Sequence, residues 1–191
     1  EGSKNFDGIL SSVTDPINSE TISKLSSSIK IIANGAVGFG NIDIKAAREK
    51  GVTVTNTPDV LTDATADIQI LHLLGASRKA YEGRIEAETQ SWKWSWDFLL
   101  GKQMSNKRLG ILGMGRIGRA VAKRAKAFGM EIHYHNRSKL SSDLEDGAIY
   151  HKVPRLRHLE IIKISHDSEV PYNKLYLSEQ QRVQFYRTSR S

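Results

Sequence analysis

The chain contains no cysteine in 191 residues, which excludes disulfides and thiolate zinc sites and permits the cytoplasmic location expected of it. It has no apolar run of membrane-spanning length, so no membrane association is expected. It also lacks a dense basic run interleaved with aromatics, although its formal net charge is +7. That excess reads as a solvated surface, with part of it near bound phosphates, rather than as a nucleic-acid interface. Hydrophobic content of 39% and charged content of 26% are ordinary for a globular protein. The length suits one ordinary domain or two small ones. The chain opens on Glu1 and reads as a fragment.

The clearest positive signal is Arg108-Leu-Gly-Ile-Leu-Gly113-Met-Gly115-Arg116-Ile117-Gly118. A short apolar run, glycines spaced G-x-G-x-x-G and a helical pattern follow without a gap. In a dinucleotide-binding turn the first glycine lets the chain leave the strand and the second lets backbone approach a pyrophosphate. The third lets helix pack closely on strand. With 15 glycines present, this spacing arises by chance in roughly one such chain in ten, so context decides. Ile117, Ala120, Val121, Ala125 and Phe128 recur at helical spacing, Gly129 stands where a C-cap glycine belongs, and Glu131–His135 reads as a second strand. The combination predicts a nucleotide-binding βαβ start, with the phosphates at the helix N-terminus.

Residues 6–56 alternate short strands (7–10, 30–33, 52–55) with short helices (18–25, 42–50), which predicts a parallel α/β sheet. The glycine-rich loop Asn34–Asn41 falls at the carboxyl end of a strand, where such sheets bind ligands. Its bare N–H groups suit a carboxylate, and a ligand-free strand-to-helix turn explains the spacing equally well. Beyond Pro58, a helix starting near Thr62 or Asp63 is apolar nearly all round, as if buried on more than one side; within it His72 reads as a core histidine. Glu82–Gln90 reads as its polar continuation. Trp92, Trp94 and Trp96 then suggest an arm that packs against a partner surface.

One absence bears on the cofactor. Dinucleotide folds place an Asp or Glu about 20 residues past the glycines, on the ribose 2′-hydroxyl. Here the second strand ends His135-Asn136-Arg137-Ser138-Lys139, with no acid. A carboxylate repels a 2′-phosphate, whereas these side chains offer donors and positive charge, so NADP(H) is favoured over NAD(H). A surface charge cluster is the alternative for Arg137. His133 and His135 share a strand face, but no further ligand stands at suitable spacing and no metal site is expected.

With these motifs in view, the chain resembles the D-isomer-specific 2-hydroxyacid dehydrogenases, especially their glyoxylate/hydroxypyruvate reductase branch, over about residues 6–150. The marks are Ile31–Asn34 with Ala36-Val-Gly38 and Asn41-Ile-Asp43, then Val54–Asp67, the tryptophan arm and Gly110–Gly118. The resemblance implies a flavodoxin-like parallel-sheet substrate domain followed by the first half of a Rossmann dinucleotide-binding domain. It implies that backbone N–H groups of Val37 and Gly38 hold the carboxylate of a small 2-oxo acid. Thr65 would lie near the cofactor phosphates, Gly113, Gly115, Arg116, Ile117 and Gly118 around the pyrophosphate, and Asn136, Arg137 and Ser138 at the adenosine ribose. It also implies a homodimer formed through the long helix and the arm.

By the same resemblance the chain divides into a partial substrate domain (1–60), a linking helix and dimerisation arm (61–97), a partial Rossmann domain (98–150) and an unassigned tail (151–191). The tail shows Ile161–Ile164 as a candidate strand. The family's catalytic arginine, acid and histidine find no match: Thr188-Ser-Arg190 lacks the expected glycine, and His151, His158 and His166 are not assignable. The expected function is hydride transfer between NAD(P)H and a 2-oxo acid such as glyoxylate or hydroxypyruvate. A catalytically inactive nucleotide-binding or dimerising remnant is the alternative, and a corepressor-like binding protein a more distant one.

Overall fold

The computed structural model describes residues 6–90, 93–152 and 160–163, the last as strand backbone. Trp92 and the echo at Thr188–Arg190 lie outside the described residues. Two compact units are present, Glu1–Leu61 and Thr62–Ser191, each with its own parallel sheet and core.

In the first unit β1 (Gly8–Ser11), β2 (Ile31–Asn34) and β3 (Thr53–Thr55) lie parallel in the order β1-β2-β3. Crossover helices α1 (Ser19–Ser23) and α2 (Ile44–Glu49) join them. Both helices begin on a side-chain cap. Asn18 Oδ1 accepts from the Thr21 N–H at 2.9 Å, and Asp43 Oδ1 from the Ala46 N–H at 3.0 Å. Lys50 Nζ then donates to the carbonyls of Ile22, Ser23 and Leu25, each at 2.7 Å, and so closes the far end of α1. Ile22, Ile32, Ala47 and Val52 meet in the core. Strand alternation decides which residues join it: Ile32 is 0% exposed, whereas Leu10 at 83% and Ile31 at 38% point to the opposite face.

In the second unit α3 (Thr62–Ser77) and α4 (Ala80–Thr89) precede β4 (Arg108–Leu112), α5 (Arg116–Ala127), β5 (Glu131–His135), α6 (Ser142–Glu145), β6 (Ile149–Tyr150) and β7 (Glu160–Lys163). The sheet is parallel throughout, in the order β6-β5-β4-β7. The chain therefore adds β5 and β6 on one side of β4 and returns to place β7 on the other. This is the doubly wound pattern, with the reversal between β4 and β7, the kind of place where such sheets hold ligands. The candidate strand of the tail is realised one residue early, as Glu160–Lys163, with Gly110 opposite Ile161.

Helix α3 packs on α5. Arg124 on α5 bonds Asp67 through Nε at 2.6 Å and Asp63 through Nη2 at 3.0 Å, which keeps its guanidinium above its ordinary pKa, with the Asp67 bond the larger cause. Beneath these pairs Ala66 and Ile70 are buried in the core, with Leu73 and Leu74 packed against it. The expectation of burial on several sides is corrected for this chain: Ile68 and Leu71 are exposed, at 50% and 60%. His72 is exposed too, not a core residue. The i, i+4, i+7 set meets α5 and the remaining apolar positions point away from it. The polar continuation is a separate helix, because Lys79 takes a left-handed conformation (φ 53°) that ends the regular backbone.

The strand alternation predicts that Ile32→Ala costs about 2–5 kcal/mol of stability in urea unfolding, from lost burial and the cavity it leaves. Its neighbour Ile31→Ala is expected to cost about 1 kcal/mol or less. Equal losses would contradict the face assignment.

Candidate functional site

The glycine turn follows β4 at the sheet reversal, and its three glycines meet three different constraints. Gly113 has φ 100°, a conformation that side chains other than hydrogen disfavour. A Cβ on Gly118 would lie 2.3 Å from the Gly113 carbonyl oxygen, so the first turn of α5 touches the end of β4 backbone to backbone. At Gly115 a Cβ would meet nothing within 4 Å. Gly118 is thus required by the fold and Gly115 borders open space. Gly115 is also the N-cap of α5 and offers no side-chain cap, and helical bonding begins with the Arg119 N–H on the Gly115 carbonyl at 2.9 Å. The N–H groups of the first turn point out of the helix end, where the positive end of its dipole favours an anion. Arg116 is exposed there, and Ile117 is half-buried against the core.

The turn is tied to the end of β5. The Gly113 N–H donates to the His135 carbonyl at 3.0 Å, and the Met114 N–H to Asn136 Oδ1 at 2.7 Å. Arg137 and Ser138 follow in an exposed bend. Tyr134 secures its far side: the buried phenol accepts from the Leu140 N–H at 3.0 Å and donates to Glu145 Oε1 at 2.6 Å. Burial first, and then the Glu145 bond, push the Tyr134 pKa upward. Neither Tyr134 nor the Asn136–Met114 bond is recognisable from sequence as serving this bend.

Thr65 lies half-buried in the first turn of α3, in the same unit as the glycine turn. Val37 and Gly38 belong to the first unit, in the loop after β2. The carbonyls of Ala36, Val37 and Gly38 are each held by a donor. The Thr57 N–H binds the Ala36 oxygen at 2.9 Å, Asn56 Nδ2 the Val37 oxygen at 2.9 Å and Asn34 Nδ2 the Gly38 oxygen at 2.8 Å. Asn34 is 2% exposed, and Ser11 Oγ donates to its Oδ1 at 3.2 Å, which sets the amide orientation. Among the described residues the N–H groups of Val37 and Gly38 have no partner. Two adjacent unpaired N–H donors thus mark this loop, the kind of backbone feature from which anion-binding concavities are built. Asn34 and Asn56, which shape it, are the residues that spacing alone does not single out.

The two histidines on β5 both bond His151. His133 Nδ1 lies 2.8 Å from His151 Nε2, His133 Nε2 lies 2.5 Å from Glu131 Oε1, and His135 Nδ1 lies 2.7 Å from the His151 carbonyl. Among the described residues no group of three or more His, Asp or Glu could hold a metal ion, and no helix is long and apolar enough to cross a membrane.

A family model for the D-isomer specific 2-hydroxyacid dehydrogenase catalytic domain matches residues 1–182. The chain belongs to this family. Its similarity to curated relatives includes 44% identity over 137 residues to 4-methyl-2-oxopentanoate reductase A of Aspergillus oryzae, covering 72% of this chain and 41% of that one. It is also 43% identical over 153 residues to a glyoxylate reductase of Thermococcus litoralis, covering 77% and 46% respectively. The chain thus spans about half the length of the curated relatives it matches. Among solved structures, a protein from Polaromonas sp. JS6 66 assigned to the NAD-binding D-isomer specific 2-hydroxyacid dehydrogenases superposes with a TM-score of 0.80 at 41% identity. That similarity covers 93% of this chain and 56% of that one. The family match extends past residue 150, beyond the last motif legible in the sequence.

Two outcomes follow from this geometry. Gly118→Ala is expected to cost about 1–3 kcal/mol by forcing α5 off the turn, while Gly115→Ala leaves urea stability nearly unchanged; the reverse order would exclude this packing. The His151 imidazole is held below its ordinary pKa of 6.5, by burial first and then by His133 and His135. Its neutral form is therefore favoured by folding. This stabilisation is complete above about pH 6.5 and is lost as pH falls through the lower folded-state value. Urea midpoints at about pH 7.5 and 5.5 are expected to differ less in His151→Gln than in the parent chain.

Proposed function

We propose that this chain supplies the cofactor cradle and the carboxylate nest of a cytoplasmic oxidoreductase that reduces a small 2-oxo acid, such as glyoxylate or hydroxypyruvate, with NADPH. The observation that carries the reading is the glycine turn, where a required glycine at 118, an open glycine at 115 and an uncapped helix end converge on one backbone surface. These features fit a pyrophosphate: glycine backbone lies open at 115, and the first-turn N–H groups of α5 are offered beside it.

In this reading the N–H groups of Val37 and Gly38 bind the substrate carboxylate, and Gly113, Gly115, Arg116, Ile117 and Gly118 surround the pyrophosphate with Thr65 nearby. Asn136, Arg137 and Ser138 receive the adenosine ribose, and the absence of an acid among them favours the 2′-phosphate of NADP(H) over NAD(H). When bound, the nicotinamide supplies a hydride to C2 of the oxo acid. The proton that completes the reduction is assigned to no residue of this chain.

Residues 1–60 belong to the substrate domain in this reading and 98–150 to the cofactor domain. The segment 61–97 is the homodimer contact, supported by the exposed Ile68 and Leu71 of α3 and by Trp94 and Trp96, exposed at 76% and 90%.

Titration of the chain with NADPH and with NADH, followed by tryptophan fluorescence, tests the cofactor assignment. NADPH is expected to bind about tenfold more tightly, and Arg137→Ala to remove most of that difference, since a charge-assisted bond to phosphate is lost. Equal affinities, unchanged by Arg137→Ala, would overturn the NADPH preference.

A further inference from the structure

We infer that Asn136 is a positioning residue: its amide oxygen braces the glycine turn, and that commitment leaves the amide nitrogen as the end available to a cofactor. The inference rests on the nucleotide-binding reading for its second half only.

The parallel ladder between β4 and β5 ends in register at Leu112 and His135. The next N–H, that of Gly113, still reaches the His135 carbonyl at 3.0 Å. Gly113 then turns the chain out of the sheet with its positive φ, and no further backbone carbonyl of β5 accepts from the turn. Met114 is nonetheless buried, at 1% exposure, so its N–H needs an acceptor within the protein. Asn136 Oδ1 supplies it at 2.7 Å. The side chain thereby adds one rung to the ladder beyond the point where backbone can. Asn136 is itself held, because the Tyr150 hydroxyl donates to its carbonyl at 3.3 Å.

This bond fixes the amide orientation. An N–H can only donate, so the atom facing Met114 must be the amide oxygen. The other branch is then Nδ2, which has no hydrogen-bond partner among the described residues. At the end of β5 the chain therefore offers a neutral donor, which can donate to a phosphate oxygen or a hydroxyl oxygen without repulsion. An aspartate at this position could brace Met114 equally well, but its second oxygen would be a charged acceptor that favours a ribose hydroxyl and opposes a 2′-phosphate. Brace and discrimination are thus separable functions of one side chain.

Hydrogen exchange at the Met114 amide, measured in the chain without nucleotide, tests the brace, with the Ile111 amide inside the ladder as control. In Asn136→Ala, Met114 is expected to exchange about tenfold faster or more while Ile111 keeps its protection. Asn136→Asp is expected to restore Met114 protection, because a carboxylate oxygen also accepts. Unchanged Met114 exchange in Asn136→Ala, or no rescue by Asn136→Asp, would overturn the brace. Nucleotide titration of the same variants tests the second half: Asn136→Ala weakens NADPH and NADH together, and Asn136→Asp weakens NADPH about tenfold while sparing NADH. Loss of both nucleotides in Asn136→Asp would overturn the discriminating role. If the parent chain binds neither nucleotide, the functional reading fails and Met114 exchange still decides the brace.

Discussion

The contact between the backbone of Gly118 and the carbonyl of Gly113 sets the distance between the end of β4 and the start of α5, and much of the second unit depends on it. Because a Cβ at 118 would lie 2.3 Å from that oxygen, the helix can begin this close only where both surfaces are bare backbone. Once it does, the side chains of Ile117, Val121 and Ala125 fall onto the core, and Arg124 projects towards Asp63 and Asp67 on α3. The same approach directs the first-turn N–H groups of α5 towards the space beside Gly115. Close packing and an open helix end are two consequences of one steric permission.

The first unit exposes backbone donors by a different route. Its loop after β2 has no long helix to orient N–H groups, since α2 spans only Ile44–Glu49 and begins after Asp43. Instead, Asn34, Asn56 and the Thr57 N–H bind three successive carbonyls, and the N–H groups of Val37 and Gly38 have no partner among the described residues. Asn34 can do this from within the core because Ser11 satisfies its oxygen while its nitrogen binds the loop. A buried amide with only one end paired would have cost more than the loop gained.

These two devices differ in how far they could be read from sequence. The glycine turn was legible because strand, spacing and helix period agree over Arg108–Gly129, a local pattern needing no tertiary knowledge. The asparagine braces were not, because Asn in a glycine-rich loop serves turns, caps and solvent equally, and only the fold places Asn56 beside Val37. The absent acid at 136 was visible, yet its replacement's bond to Met114 depends on β5 lying in register with β4. Helix α3 shows the converse limit. Its apolar positions were evident, but amphipathic periodicity cannot tell which apolar side a single chain covers, and Ile68, Leu71 and His72 proved exposed.

The two-residue β6 and the strand β7 carry little local pattern, and their positions follow from non-local pairing with β5 and β4. The weakest sequence signal here has a large topological consequence. Without β7, β4 would be an edge strand and the sheet would run only one way from it, β4 to β5 to β6. With β7 on its other side, the strand order reverses beside β4, and the turn at Gly113 lies at the end of that strand. A crevice at that point is a property of strand order rather than of the glycines. The glycines let α5 approach the end of β4, Asn136 bonds the turn to the end of β5, and β7 supplies the reversal beside it.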